Sequence, residues 1–112
     1  MKIKTSELEG AGLNYCVDYI VTGKWPDTCD DGHVHAPDYQ SDWSQGGPLI
    51  ARHRVMIEPL IRIHRPEGGW HAGFKDRIGV CHGPTPLIAA CRAIVAANLG
   101  DEVDVPEELT NE

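Results

Sequence analysis

The stretch GPTPLIAACRAIVAANLG, residues 83–100, decides the fold. Thr85 is a good N-cap, and Pro86 suits the first helical turn because its missing N–H would be unpaired there anyway. Leu87, Ile88, Cys91, Ile94, Val95 and Leu99 recur at helical spacing and make one apolar face, while the alanines between them carry high helix propensity. Gly100 supplies the stop. The spacing predicts a helix over 86–99 with a face that needs a packing partner.

Working outward, the N-terminal third offers that partner. Ser6 and Glu9 have the spacing of a capping box, in which each side chain satisfies an orphan amide of the first turn. Leu8, Leu13, Cys16, Val17, Ile20 and Val21 follow near helical spacing, and Gly23 is a left-handed stop. A helix is expected over about 6–22, weakened by about 1 kcal/mol at each of Gly10 and Gly12 relative to alanine. Short extended pieces are expected at 1–5, at 55–64 with Pro59 as a bulge or edge feature, at 74–81 and at 103–105. A turn is expected within 65–72, around Glu67, Gly68 and Gly69, and a short helix opening at Pro48 and running to Arg54. Residues 24–47 are rich in Gly, Pro and Asp and are expected as a long irregular loop, held in order by Trp25, Tyr39 and Trp43. Together these make an α+β fold: two main helices packed on a small antiparallel sheet.

The chain has 112 residues, enough for one domain over 1–112 with a fraying tail at 106–112. Seventeen acidic against ten basic residues leave a net charge of −7. That balance lacks the cationic surplus on which duplex DNA or RNA affinity rests. The opening MKIKTSELEG turns polar at once, and no window approaches the roughly 18 apolar residues of a membrane span, so a cytoplasmic, membrane-free protein is expected. The four cysteines, Cys16, Cys29, Cys81 and Cys91, lack a C-x-x-C spacing and are expected as free thiols. An open sheet edge and an Ala-rich helix make self-association another expectation.

Two glycine–proline helix starts are the most suggestive local device. Trp43, Ser44, Gln45, Gly46 and Gly47 precede Pro48, and Gly83, Pro84 and Thr85 precede the last helix. A helix N-terminus presents unpaired N–H groups and partial positive charge, and glycine lets a ligand approach. Both segments are also ordinary helix punctuation, and neither is a Walker A loop or a Rossmann fingerprint. Cys29, His33 and His35, among several aspartates, are weak candidates for a metal site because their spacing fits no known zinc pattern. Cys81 and His82 are adjacent, but neighbouring residues of a strand face opposite sides, which argues against a Cys–His catalytic pair. No cofactor motif is present, and no reaction is identified.

The segments MKIKTSEL, DWSQGGPLI and GPTPLIAACRAIVAANLGDEVDVPEEL together resemble the NinX family of phage and prophage proteins. The resemblance covers both ends and the middle of the chain. It implies a setting among phage accessory genes, whose products modulate host defence, recombination or lysis timing, and it supplies no catalytic residues. Three functions stand as expectations. The first is a non-catalytic binding protein taking a small anionic ligand, such as a nucleotide, at the two helix starts. The second is an interaction module docking the acidic 24–47 loop on a host or phage protein. The third is a small enzyme built on Cys81 or the His/Asp loop, with or without zinc.

Overall fold

A computed structural model describes residues 1–60, 69–76 and 80–110. Strand β1 (Lys2–Lys4) leads through a 3-10 turn (Thr5–Glu7) to α1 (Gly10–Thr22). Next come α2 (Trp43–His53), β2 (Val55–Pro59), β3 (Trp70–Phe74), β4 (Val80–Gly83) and α3 (Pro86–Leu99). Strand β5 (Glu102–Asp104) and a second 3-10 turn (Glu107–Leu109) close the described chain. The fold is α+β, but its strands form two antiparallel sheets: β1 with β5, and β2-β3-β4 in sequence order.

The last helix is the centre of the molecule. Thr85 caps it, its Oγ1 accepting from the Ile88 amide at 3.1 Å. Every residue from Leu87 to Val95 is buried, so the helix has no solvent face over its first two and a half turns. An all-round buried helix needs small residues on the sides where other elements come close, and Ala89, Ala90 and Ala93 fill that role. The three-stranded sheet packs on it through Val55, Ile57, Ala72, Phe74 and Cys81, which alternate with an outward row that includes Met56 and Val80.

Helix α1 begins later than the capping box suggests. Ser6 lies in the 3-10 turn, Leu8 and Glu9 are extended, and Glu9 stands at the N-cap without a side-chain cap bond. Three anchors outweigh the local signal. Thr5 is stapled to the end of α3, its amide and hydroxyl donating to the carbonyls of Asp101 (2.7 Å) and Gly100 (2.6 Å). Leu8 is buried in the core, and its carbonyl accepts from Arg92. The cap comes instead from the loop, where Gln40 Oε1 accepts from the Gly10 amide at 2.7 Å. Gly23 ends the helix in the left-handed region, as expected.

Part of the long loop is helix. Asp42 is the N-cap of α2, accepting from the Ser44 amide at 2.9 Å, so the helix starts at Trp43 and Pro48 falls inside it rather than opening it. Gly46 marks a close crossing. A Cβ there would run into the Tyr39 carbonyl and come within 2.8 Å of Leu87 Cδ2, so the Gly-Gly pair that reads as flexible loop is needed for packing. Residues 24–42 are fastened to a polar stripe on α1 at four-residue spacing. Gly10 donates to Gln40. Asn14 donates to Asp38 Oδ1 and accepts from the Gln40 amide, both at 3.0 Å. Asp18 accepts from the Tyr39 hydroxyl at 2.6 Å. Trp25 stacks on Tyr15 and Tyr19, with ring centroids 4.8 and 4.0 Å away.

The expected strand at 74–81 is two strands: Phe74 ends β3, Lys75 and Asp76 turn, and β4 begins at Val80. Residues 70–72, expected within a turn, belong to β3, while 61–68 and 77–79 lie outside the described residues. Pro59 ends β2, an edge strand, where a missing amide costs no ladder bond on the open side. The tail expected to fray carries the second 3-10 turn, with Leu109 buried; residues 111–112 lie outside the described residues.

Candidate functional site

An open cleft of about 850 Å³ lies between β4 and the β1–β5 pair, with α3 beneath it. Its floor carries Arg92, which is 8% exposed. Nε donates to the Leu8 carbonyl at 2.7 Å and Nη1 to the His82 carbonyl at 2.9 Å. The guanidinium thus ties the α1 approach and β4 to the central helix. Burial lowers its pKa from the ordinary arginine value, with Glu9 and Cys81 acting the other way. Among the described residues no carboxylate lies within ion-pair distance of it. A buried cation held by neutral carbonyls and facing a cleft is costly to leave without an anion, because carbonyl dipoles replace only part of its lost hydration.

Cys81 also lines the cleft. Burial raises its pKa first, the charge of Asp101 raises it further, and Arg92 lowers it. A raised thiol pKa is the reverse of what a nucleophile needs. His82 stands across from His71 in the β3–β4 register, with ring centroids 5.9 Å apart, while Cys81 packs against the core. The two neighbours diverge as strand alternation requires.

The two glycine–proline starts are brought close, since Gly46 meets Leu87 in the first turn of α3. Their ends face different surroundings. Gly83 and Pro84 line the cleft; Trp43, Ser44, Gln45, Gly46, Gly47 and Thr85 stand outside its lining. Five of their amides already have partners. Ser44 donates to the Asp42 carboxylate, Gln45 and Gly46 to the Asp42 carbonyl, and Ile88 and Ala89 to Thr85. Donation from Ser44 holds the Asp42 carboxyl below its ordinary pKa, so the start of α2 carries a fixed negative charge. Trp43 remains 56% exposed beside it.

In the loop, Cys29 Sγ lies 3.1 Å from His35 Nε2, on a small hairpin bridged at Thr28 and Val34. His33 does not join them: its Nδ1 pairs with Asp31 at 2.9 Å and holds that carboxyl below its ordinary pKa. Among the described residues no three His, Cys, Asp or Glu side chains converge on one metal position, nor is any helix long and apolar enough to cross a membrane.

Sequence reasoning passed over Arg92. Its signal was present: it is the single charge between Pro86 and Leu99, inside an otherwise apolar run.

Set against known proteins, residues 4–98 match the family described as Bacteriophage P22, NinX, and the chain belongs to that family. No curated protein matches it.

Proposed function

Taking membership of the NinX family as the premise, we propose that this chain is a non-catalytic phage accessory protein that binds a small anionic molecule in the Arg92 cleft. The observation that carries this reading is the buried guanidinium without a carboxylate partner among the described residues. Lys4 adds a second cation to the lining, and Gly83 and Pro84 bring the start of α3 to its edge. Leu60, Val80 and Ala96 give apolar contact beside the charges, the mixture of apolar wall and few polar groups usual for a ligand site. The helix starts contribute in part: the 83–84 turn belongs to the cleft, whereas an anion at 43–47 would meet the Asp42 carboxylate.

Thermal unfolding with acetate, inorganic phosphate and adenosine monophosphate tests the proposal. A bound anion at a hundredfold over its Kd stabilises by about 2.7 kcal/mol. That stabilisation should disappear in Arg92→Gln, with circular dichroism confirming its fold. No shift with any anion, or an equal shift in the variant, would sink it.

A second reading has its own observation, the exposed carboxylates of Asp27, Asp30 and Asp31 in the loop that leads to the exposed Trp43. Such a segment suits a basic, partly apolar patch on a host or phage protein. Trp43→Ala should weaken such an interaction without changing the fold. Deleting 28–34 tests the acidic hairpin better than a longer cut, because Asp38, Tyr39 and Gln40 hold α1.

A further inference from the structure

We infer that the ligand of the Arg92 cleft is an aliphatic amino-carboxylate zwitterion, its carboxylate directed to Arg92 and its ammonium group to Asp101 and Glu102. The inference rests on the anion-binding reading above and adds the ligand's second charge.

The cleft is polarised. Its buried cation, Arg92, lies on the floor, 8% exposed, while Asp101 and Glu102 line the same space as exposed residues together with the exposed Lys4. Neither carboxylate is in an ion pair among the described residues. Lys4 stands opposite Glu102 in the β1–β5 register, which leaves Asp101 as the rim charge without a cation across from it. Both poles border Cys81 in the lining, where burial raises the thiol pKa first, Asp101 raises it further and Arg92 lowers it.

This polarity separates ligand classes. A simple anion meets two carboxylates and one cation, Lys4, at the rim of a chain of net charge −7 before it reaches Arg92. A phosphate, with more negative charge, is repelled more strongly. A molecule with a carboxylate at one end and an ammonium group at the other meets attraction at both depths. Its methylenes would lie along Leu60, Val80 and Ala96. A volume of about 850 Å³ leaves room for more than one charge separation, so the length is read by experiment.

The test is calorimetric titration of the full chain with four matched pairs: glycine and acetate, β-alanine and propionate, 5-aminopentanoate and pentanoate, 6-aminohexanoate and hexanoate. At least one amino member should bind about two- to fivefold more tightly than its partner, as an exposed ion pair allows. That preference should weaken with added salt. Asp101→Asn combined with Glu102→Gln should abolish it and at the same time tighten binding of the plain carboxylate, because the repelling rim charges are gone; both residues are exposed, so the fold should persist. If plain carboxylates bind in an Arg92-dependent way and no amino member is preferred, the zwitterion inference is overturned and the anion reading stands. If no member of any pair binds, the zwitterion inference is overturned, and the anion reading falls with it only if phosphate and adenosine monophosphate also fail to stabilise the chain.

Discussion

Tyr39 and Asp18 are joined across the loop and the first helix by a 2.6 Å hydrogen bond, phenol hydroxyl to carboxylate, with both residues buried. Burial and the carboxylate together raise the tyrosine pKa. Removing the hydroxyl strands a buried carboxylate, so Tyr39→Phe should cost about 1.5–3 kcal/mol, the range for hydrogen bonds to charged groups. Urea unfolding at neutral pH measures it. Tyr39→Phe combined with Asp18→Asn should recover part of the loss, because the charge then goes with its donor; no recovery would mean the bond is not what the single variant removed.

Alkaline pH should loosen the fold at a definable point. Burial pushes the thiols of Cys16 and Cys91 up to about 12 from 9.0. In the unfolded chain these groups ionise near 9, while the folded chain keeps their protons. Above that pH the folded state binds more protons than the unfolded one, and stability falls as pH rises. The contribution is intact below pH 9 and is lost between 9 and about 12. The steepest slope is about 1.4 kcal/mol per pH unit for each thiol. Urea midpoints should be nearly flat from pH 7 to 8.5 and then drop. Cys91→Ala should flatten the drop even if it lowers the starting stability, and an unchanged slope would count against this origin.

Two adjacent glycines should respond with opposite signs. Gly46→Ala drives a methyl into the Tyr39 carbonyl and Leu87, and should destabilise by about 1–3 kcal/mol or more. Gly47→Ala meets only Trp43 Cε3 at 3.5 Å, an ordinary contact. There the gain in helix propensity should appear, up to about 1 kcal/mol. Thermal melts of the two variants decide the matter, and loss of stability at 47 equal to that at 46 would refute the crossing geometry.

Cys29 should be the first thiol to react. It is partly exposed and 3.1 Å from His35 Nε2, whereas Cys16, Cys81 and Cys91 all have raised pKa values from burial. Iodoacetamide labelling at pH 7.5 with peptide mapping should place the first adduct at Cys29. His35→Ala should slow it several-fold, since the imidazole Nε2 stands where it can take the thiol proton as the sulfur is alkylated. First labelling at Cys81 would reverse the assignment.

What could be read from the chain follows the range of each interaction. The last helix was legible to the residue because its cap, its first-turn proline and its terminal glycine are all local. The start of α1 was not, because Leu8 leaves the helix to enter the core and the replacement cap comes from Gln40, thirty residues away. The α2 start was misread for a related reason: Gly46 and Gly47 have loop-like propensities, and only the crossing with Tyr39 and Leu87 makes glycine a packing residue. The pairing of β1 with β5 joins nearly opposite ends of the sequence, which periodicity cannot reveal. The cleft was half visible. Gly83 and Pro84 stood out as a helix start, but the partners of Arg92 come from the Leu8 and His82 carbonyls, which only the fold brings to α3.

The stripe of Gly10, Asn14 and Asp18 acts as a ruler for the connection that crosses it. Residues 38–40 meet three successive rungs of α1, so inserting a single residue between Asp38 and Gln40 would put every partner out of step at once. The hairpin before them touches the chain near Glu108 at Gly32 but has no repeating register to keep, and doubling a flexible segment adds only about 0.6 kcal/mol of closure entropy. Length variation among natural variants should therefore gather at 28–36 and be excluded from 38–42, a division set by helical pitch rather than by what the hairpin does.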